Sequence, residues 1–258
     1  MEANVLVRNQ FNKQAQNFSN WSITQNLKLY QAWFDFCGLK PGDNLLDTAC
    51  GTGAFAIFSA KRIREVKGVD ISDRMIAIAR KHAADNNLEN IQFTCHDVEN
   101  IPFGNNLFSV VVSRSAFHHM KNYTGVFGEM LRCCKEGGRI CIEDIVLYEN
   151  RKLDDFFEEL EITIDASHQA SLSKRDIFNL YKQNQVKVLR LFESGPKLHF
   201  DDYVNHAVQS GTSKQKIHEL MGFGLEDKDI SRCFVVENEA LFWKRKVFTI
   251  VGQKIFAS

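Results

Sequence analysis

The sequence predicts an α/β protein built on one doubly wound parallel sheet. Three observations carry that expectation. From residue 44 to 146 short apolar runs alternate with helical patterns, the signature of βαβ units. A glycine-bearing turn follows the first run, where an open sheet of this kind takes its ligand. The chain has 258 residues, 44% hydrophobic and 25% charged, with three prolines. That composition excludes disorder as the main state, and one α/β unit can fill the length.

The elements follow in order. Phe18, Trp21, Leu27, Tyr30 and Trp33 mark a helical segment from Phe11 to Phe36, expected to cover one side of the sheet's ligand edge. Lys40-Pro41-Gly42-Asp43 is a turn, and Leu45, Leu46 and Asp47 begin the first strand. A helix carrying Phe55, Ala56, Phe58 and Ser59 runs to Arg64, and Val66 to Ile71 is the second strand. Ser72 stands at an N-cap position before a helix with Met75, Ile76, Ala79 and Ala83 on one face, ending near Asn86-Asn87. Ile91 to Cys95 and Phe108 to Ser113 are the third and fourth strands. Val126, Phe127, Met130 and Leu131 mark the next helix, with Gly137-Gly138 as its stop, and Arg139 to Val146 is the fifth strand.

Beyond Tyr148, Leu153, Phe156, Phe157, Leu160 and Ile164 repeat at helical spacing, and Ser173 to Asp176 reads as a capping box. Val186 to Phe192 and Val247 to Val251 are two late strands, bracketing a helical insertion from Asp201 to about Met221 and completing a seven-stranded sheet. No linker interrupts the chain. The expected organisation is one domain: a helical cover over 1–40, a ligand-binding core over 41–148, and cover helices with the last two strands over 149–258.

Lysine plus arginine and aspartate plus glutamate both number 32, so no global positive field draws in a polyanion, and nucleic acid is excluded as the main partner. The seven cysteines form no CxxC pair and no zinc spacing, and read as reduced, mostly buried thiols. Met1 to Gln16 lacks an apolar leader core, and no window reaches the ~18 apolar residues of a membrane span. The expected setting is soluble and cytoplasmic, without membrane insertion.

Gly51 and Gly53 let a ligand approach the backbone. Gly51-x-Gly53-x-x-Ala56 alone also matches the weak dinucleotide fingerprint. Three acids decide between ligands. Asp47 lies inside the first strand's end, where a carboxylate would repel a pyrophosphate and attract an ammonium or sulfonium. Asp70 ends the second strand, the position for ribose hydroxyls, and Asp97 follows the third, within reach of an adenine amino group.

Leu46-Asp47-x-Ala49-Cys50-Gly51-Thr52-Gly53, then Val69-Asp70-Ile71-Ser72, then His96-Asp97-Val98-Glu99-x-x-Pro102-Phe103 resemble the class I S-adenosylmethionine-dependent methyltransferases. The subgroup resembled is the ubiquinone/menaquinone-biosynthesis (UbiE-like) enzymes and their small-molecule relatives. Ala116-Phe117-His118-His119, Glu129 to Arg132 and Lys135 to Gly138 are further matches, and the likeness is good over residues 8 to 146. It implies a Rossmann-like sheet with a helical cover over its active edge. It implies S-adenosylmethionine as cofactor, S-adenosylhomocysteine as product and a small-molecule acceptor methylated on O, C or N; a homodimer is left open by the sequence. Asp47 would face the methionine end, with Ala49 and the Gly51–Gly53 backbone against the cofactor. Asp70 would hold the ribose, Ile71 and Met75 would flank the adenine, Asp97 and Val98 would hold its edge, and Ser113 would line the sulfonium side.

Two positions depart from the family pattern. Ser109 replaces a common Asp and is read as serving strand packing, and Phe18 replaces a Tyr and is given no polar role. His118 and His119 follow the fourth strand, near the transferred methyl, and a neutral imidazole there suits a base toward a phenol, hydroxyl or acidic carbon. Arg114, His168, Tyr30 and Trp33 are expected to contact the acceptor, with His206 a weaker candidate. The Phe156-Phe157 pair reads as pocket wall or core. Lys61-Arg62-x-Arg64 and Lys244-Arg245-Lys246 read as solvated faces. The alternatives are an NAD oxidoreductase and a non-catalytic S-adenosylmethionine-binding protein on the same fold.

Overall fold

The computed structural model describes residues 2–255. Seven strands form the main sheet: β1 (Asn44–Thr48), β2 (Glu65–Asp70), β3 (Ile91–Cys95), β4 (Phe108–Arg114), β5 (Cys134–Ile145), β6 (Val186–Ser194) and a last strand, Val247–Lys254. The intervening helices are α1 (Glu2–Asn20), α2 (Leu27–Cys37), α3 (Ala54–Ala60), α4 (Asp73–Asp85), α5 (Tyr123–Cys133), α6 (Arg151–Ile164) and α7 (Lys174–Gln183). The insertion after β6 holds β7 (Lys197–His199), α8 (Phe200–His206), α9 (Gly211–Glu226), β8 (Phe234–Glu237) and β9 (Ala240–Lys244), and the last strand is then β10.

The strand order is β3-β2-β1-β4-β5-β10-β6. β1 to β5 pair in parallel, while β10 runs antiparallel between β5 and β6. Successive residues on a strand face opposite sides, so both must be apolar where helices cover both faces. Leu45, Val66, Val110 and Cys141 accordingly pack with α2, α3 and α4 on one side. Leu46, Val69, Val111, Ile140 and Ile142 pack with α5 and α7 on the other. Both faces have an apolar core, and the ligand edge lies where β1 to β4 end.

Several expectations need correction. The helix before β5 stops at Cys133, ahead of Gly137-Gly138, and Cys134 already belongs to the strand. The insertion is not wholly helical: β7, β9 and β8 form a second, antiparallel sheet. That sheet closes a third core with α6, α8 and α9 around Trp243, Phe157, Leu160 and Tyr203. A meander of strands this short gives almost no period-2 signal. Of the 11–36 segment, α1 covers the ligand edge, and α2 sends only Tyr30 to it. α2 instead lies on the sheet, with Trp33 2% exposed between Phe36 and Phe55, so Trp33 is core and not pocket wall. Phe156 and Phe157 likewise belong to the third core.

All seven cysteines are unpaired, with Cys95 exposed. Among the described residues no helix is long and apolar enough to cross a membrane.

Candidate active site

A cavity of about 160 Å³ opens at the carboxyl ends of β1, β2 and β4, roughly ten times the space one water needs. Two of its lining residues, Ala49 after β1 and Ser115 after β4, have φ of 54° and 49°. Left-handed backbone at non-glycine residues is strained, and here it turns the chain sharply off each strand so that its end opens into the cavity.

The sheet-side wall holds the three acids. Asp47 lies 4% exposed and makes no side-chain hydrogen bond among the described residues. Burial pushes its carboxyl up to about 7; the Arg114 guanidinium opposes this and Asp70 adds to it. Asp70 accepts from the Gly51 N–H at 2.8 Å through Oδ2 and from the Ser72 N–H at 2.9 Å through Oδ1, and burial raises its pKa despite both bonds. Ser72 is the N-cap of α4, as expected, its hydroxyl accepting from the Met75 N–H. Asp97 caps a short turn through the Glu99 N–H at 2.9 Å, and its Oδ2 accepts from Asn4 Nδ2 of α1 at 2.7 Å. Ala49, Ile71, Met75 and Val98 complete this wall.

The two glycines play different parts. A Cβ on Gly51 would meet only the Phe18 ring, at 3.5 Å, so this backbone faces the cavity. Gly53 has φ +74° and packs inward, where a Cβ would meet the Phe93 ring at 2.6 Å. Its role is close helix–strand packing, not ligand approach. Ser113 also misses the cavity: it is fully buried, with Oγ unpartnered. Arg114, one residue on, does line it, binding Glu143 Oε1 at 2.7 Å and standing 5.5 Å over the Tyr30 ring, which lines it too. Ser109 donates to Asp43 Oδ1 at 2.7 Å at the opposite end of the strands, a strand-packing role.

The cover-side wall is a cluster of imidazoles and acids. His118 Nδ1 lies 2.5 Å from Asp144 Oδ1, while Asp144 Oδ2 accepts from the Ala116 and Phe117 N–H groups at 2.8 and 2.7 Å. Burial raises Asp144 to about 6. Burial also drives His118 well below the usual histidine range, helped by His119, His168 and Arg245, so the ring is neutral near pH 7. With the Nδ1 proton held by Asp144, Nε2 is left as an acceptor on the cavity side.

His119 Nδ1 pairs with Ser167 Oγ at 3.1 Å, and Ser167 donates to Asp165. Asp165 also accepts from Gln14 of α1 at 2.8 Å and is held down to about 2; His119, Ser167 and Gln14 outweigh the opposing effect of burial. His168 Nε2 faces Glu158 at 3.1 Å. Phe11, Phe18 and Trp21 close the top, with His206 stacked on Trp21 at 4.5 Å. No His, Cys, Asp or Glu cluster among the described residues is set to hold a metal.

Arg245 overturns its reading as part of a solvated face. It is 7% exposed, lines the cavity, pairs with Glu161 and lies 4.7 Å over the Tyr203 ring; Tyr203 donates to the same Glu161. Asp144, Glu161, Asp165, Tyr203 and Asn4 were not singled out from the sequence either. The only local hint was an acid at the end of a strand, for Asp144.

A family model described as a methyltransferase domain matches residues 39–224. The chain is 26% identical to the uncharacterized methyltransferase YcgJ of Bacillus subtilis over 186 residues, 72% of this chain and 74% of that protein. It is 30% identical to the demethylmenaquinone methyltransferase of Symbiobacterium thermophilum over 146 residues, covering 53% of this chain and 58% of that enzyme. The crystal structure of YcgJ superposes with a TM-score of 0.78 at 21% identity, over 88% of this chain and 98% of that one. A geranyl diphosphate C-methyltransferase from Streptomyces coelicolor, solved with Mg2+, geranyl diphosphate and S-adenosyl-L-homocysteine, reaches 0.61 at 14%, over 88% and 78%, and shares the fold. The match to a methyltransferase domain over 39–224 speaks against the NAD alternative.

Proposed function

Because this chain belongs to the methyltransferase-domain family, we propose that it transfers the methyl group of S-adenosylmethionine to an O, C or N atom of a small molecule held between sheet edge and cover. One observation carries the reading: a single cavity joins three strand-end acids around an open glycine turn to a buried neutral imidazole held by a carboxylate. S-adenosylmethionine supplies a methyl group already activated by a sulfonium.

The residues fit that cofactor chemically. Asp47, lifted to about 7 by burial against the opposing pull of Arg114, makes no ion pair, and an ammonium beside it restores its charge. Asp70 is fixed by two backbone N–H groups and keeps lone pairs for a ribose diol. Asp97, Val98, Ile71 and Met75 offer a polar edge and apolar walls for an adenine, and Gly51 admits the chain between them.

The cover does the rest. Phe11, Phe18 and Trp21 exclude water and confine the acceptor, and alignment of this kind is worth up to ~7–11 kcal/mol in displacement reactions. His118 takes the acceptor's proton at Nε2, and Asp144 fixes the tautomer and stabilises the imidazolium that forms. His119, tethered through Ser167, shapes the same wall.

The test is binding of labelled S-adenosylmethionine, followed by screening phenols, quinols, amines and polyketide-like acids for a mass gain of one methyl. Absence of binding, or binding left intact in Asp70→Ala, sinks the reading. Full turnover in His118→Ala removes the base from it.

A further inference from the structure

The cover wall holds a negative charge that nothing around it matches. Asp165 is 4% exposed and lines the cavity, and its partners are donors: Gln14 Nε2 and the Ser167 N–H at 2.8 Å, and the Ser167 hydroxyl at 2.5 Å. A carboxyl that accepts three such bonds is ionised. Among the described residues no lysine or arginine pairs with it. Burial holds His119 and His206 below the ordinary histidine range, so neither ring is a counter-charge near pH 7. The two guanidiniums of the cavity are already matched, Arg245 by Glu161 and Arg114 by Glu143. The imbalance is local, because the chain is neutral as a whole while six acidic side chains and only two arginines line the cavity. S-adenosylmethionine brings its ammonium to the sheet-side acids and leaves the charge of Asp165 to the acceptor.

Aromatic surface surrounds that charge. Burial raises Tyr203 and lowers His206, and Asp165 is close enough to push both upward. Trp21 stacks on His206 at 4.5 Å, and Phe18 lies 5.7 Å from Trp21 and 6.1 Å from His206; all three line the cavity. Ring faces backed by an ionised carboxylate, shielded from water, attract a cation and repel an anion. We propose that the acceptor carries an ammonium group, held among Phe18, Trp21 and His206 in the field of Asp165, while a different atom of the same molecule is methylated at His118. The two groups are distinct for two reasons. An ammonium nitrogen has no lone pair with which to attack a methyl group. His119 and Ser167 also stand between the two places: the His118 and His119 rings are 4.1 Å apart, and His119 reaches Asp165 only through Ser167. The inference rests on the methyl-transfer reading and adds the acceptor's charge to it.

The experiment measures equilibrium binding of tyramine, 4-ethylphenol and 4-hydroxyphenylacetate at pH 7 to protein saturated with S-adenosylhomocysteine. The three share a para-substituted phenol and end in a positive, a neutral and a negative group. Tyramine binds at least about tenfold more tightly than 4-ethylphenol, and 4-hydroxyphenylacetate binds most weakly. Asp165→Asn keeps a carbonyl oxygen for the Ser167 donors and removes the charge, so tyramine falls to the level of 4-ethylphenol. Unchanged S-adenosylhomocysteine affinity in that variant reports that it has folded; if it does not fold, the ranking on the unmodified protein decides. 4-Ethylphenol or 4-hydroxyphenylacetate binding as tightly as tyramine, no binding by any of the three, or a tyramine advantage surviving in Asp165→Asn overturns the inference while the methyl-transfer reading stands. Failure of S-adenosylhomocysteine to bind the unmodified protein overturns both.

Discussion

The two walls of the cavity are built in opposite ways. On the sheet side two of the three acids are fixed by backbone: Asp70 by N–H groups 19 and 2 residues away, Asp97 by one 2 residues away. On the cover side, side chains hold one another across long sequence distances. Gln14 reaches Asp165 over 151 residues, Arg245 reaches Glu161 over 84, and Tyr203 reaches Glu161 over 42. A backbone-fixed acid needs only its strand and turn to be in place. A side-chain network needs every contributing element docked, and leaves a buried charge uncompensated when one member is lost. The sheet side therefore suits an invariant ligand part, and the cover side a variable one.

If the two walls divide the work in this way, the largest effect comes from the cover. Asp144→Asn, which misorients the His118 ring, lowers kcat by about 10²–10⁴ in single-turnover measurements while S-adenosylhomocysteine affinity is unchanged. Its pH–rate profile also loses the limb contributed by the pair. A parallel loss of cofactor affinity would break the division.

Next comes Asp70→Ala, which raises the dissociation constant for S-adenosylhomocysteine about 100-fold by calorimetry, since the ligand contact and the acceptor for the Gly51 and Ser72 N–H groups vanish together.

The pH dependence is smaller and has a definite sign. Asp47 is raised from 3.8 to about 7 in the folded, ligand-free protein. A raised folded value makes its stability contribution complete below the unfolded pKa and lost as pH rises through about 7. A cationic ligand prefers the ionised form, so cofactor affinity falls by up to about tenfold per unit as pH drops below 7. The thermal shift produced by S-adenosylmethionine should therefore grow from pH 5 to 8. A flat profile would remove Asp47 from the cationic end.

Gly53→Ala tests packing: a Cβ 2.6 Å from Phe93 at φ +74° destabilises the fold by about 1–3 kcal/mol in chemical denaturation. Asn4→Ala is the mildest, releasing Asp97 from α1 and weakening S-adenosylhomocysteine by about threefold.

The uneven legibility of the site follows from the same contrast. Asp47, Asp70, Asp97 and Gly51 were readable because strand end, turn and cap are set by neighbouring residues. His118 and His119 were readable because they follow β4 directly. Arg245 was misread because Lys244 and Lys246 flank it, and sequence neighbours say nothing of burial. Its partner Glu161 looks like any other acid on an amphipathic helix. Trp33 failed in the other direction: its helical spacing marks an inward face, but not whether that face meets a cavity or a core. Ser113 and Gly53 missed by orientation alone, since alternate residues of a strand or turn point to opposite sides.

What the sequence determined by itself is the succession along the chain of the main sheet's strands and helices, and the acids at its ligand edge. Each of these depends on local periodicity and short-range hydrogen bonds, which are written in contiguous residues. What only the tertiary structure decided is the pairing of His118 with Asp144, the burial of Arg245 against Glu161, the latching of α1 through Asn4 and Gln14, and the unpartnered Nδ1 of His168. These depend on desolvation and on contacts between elements distant in the chain, and both exist only once the cover has docked on the sheet.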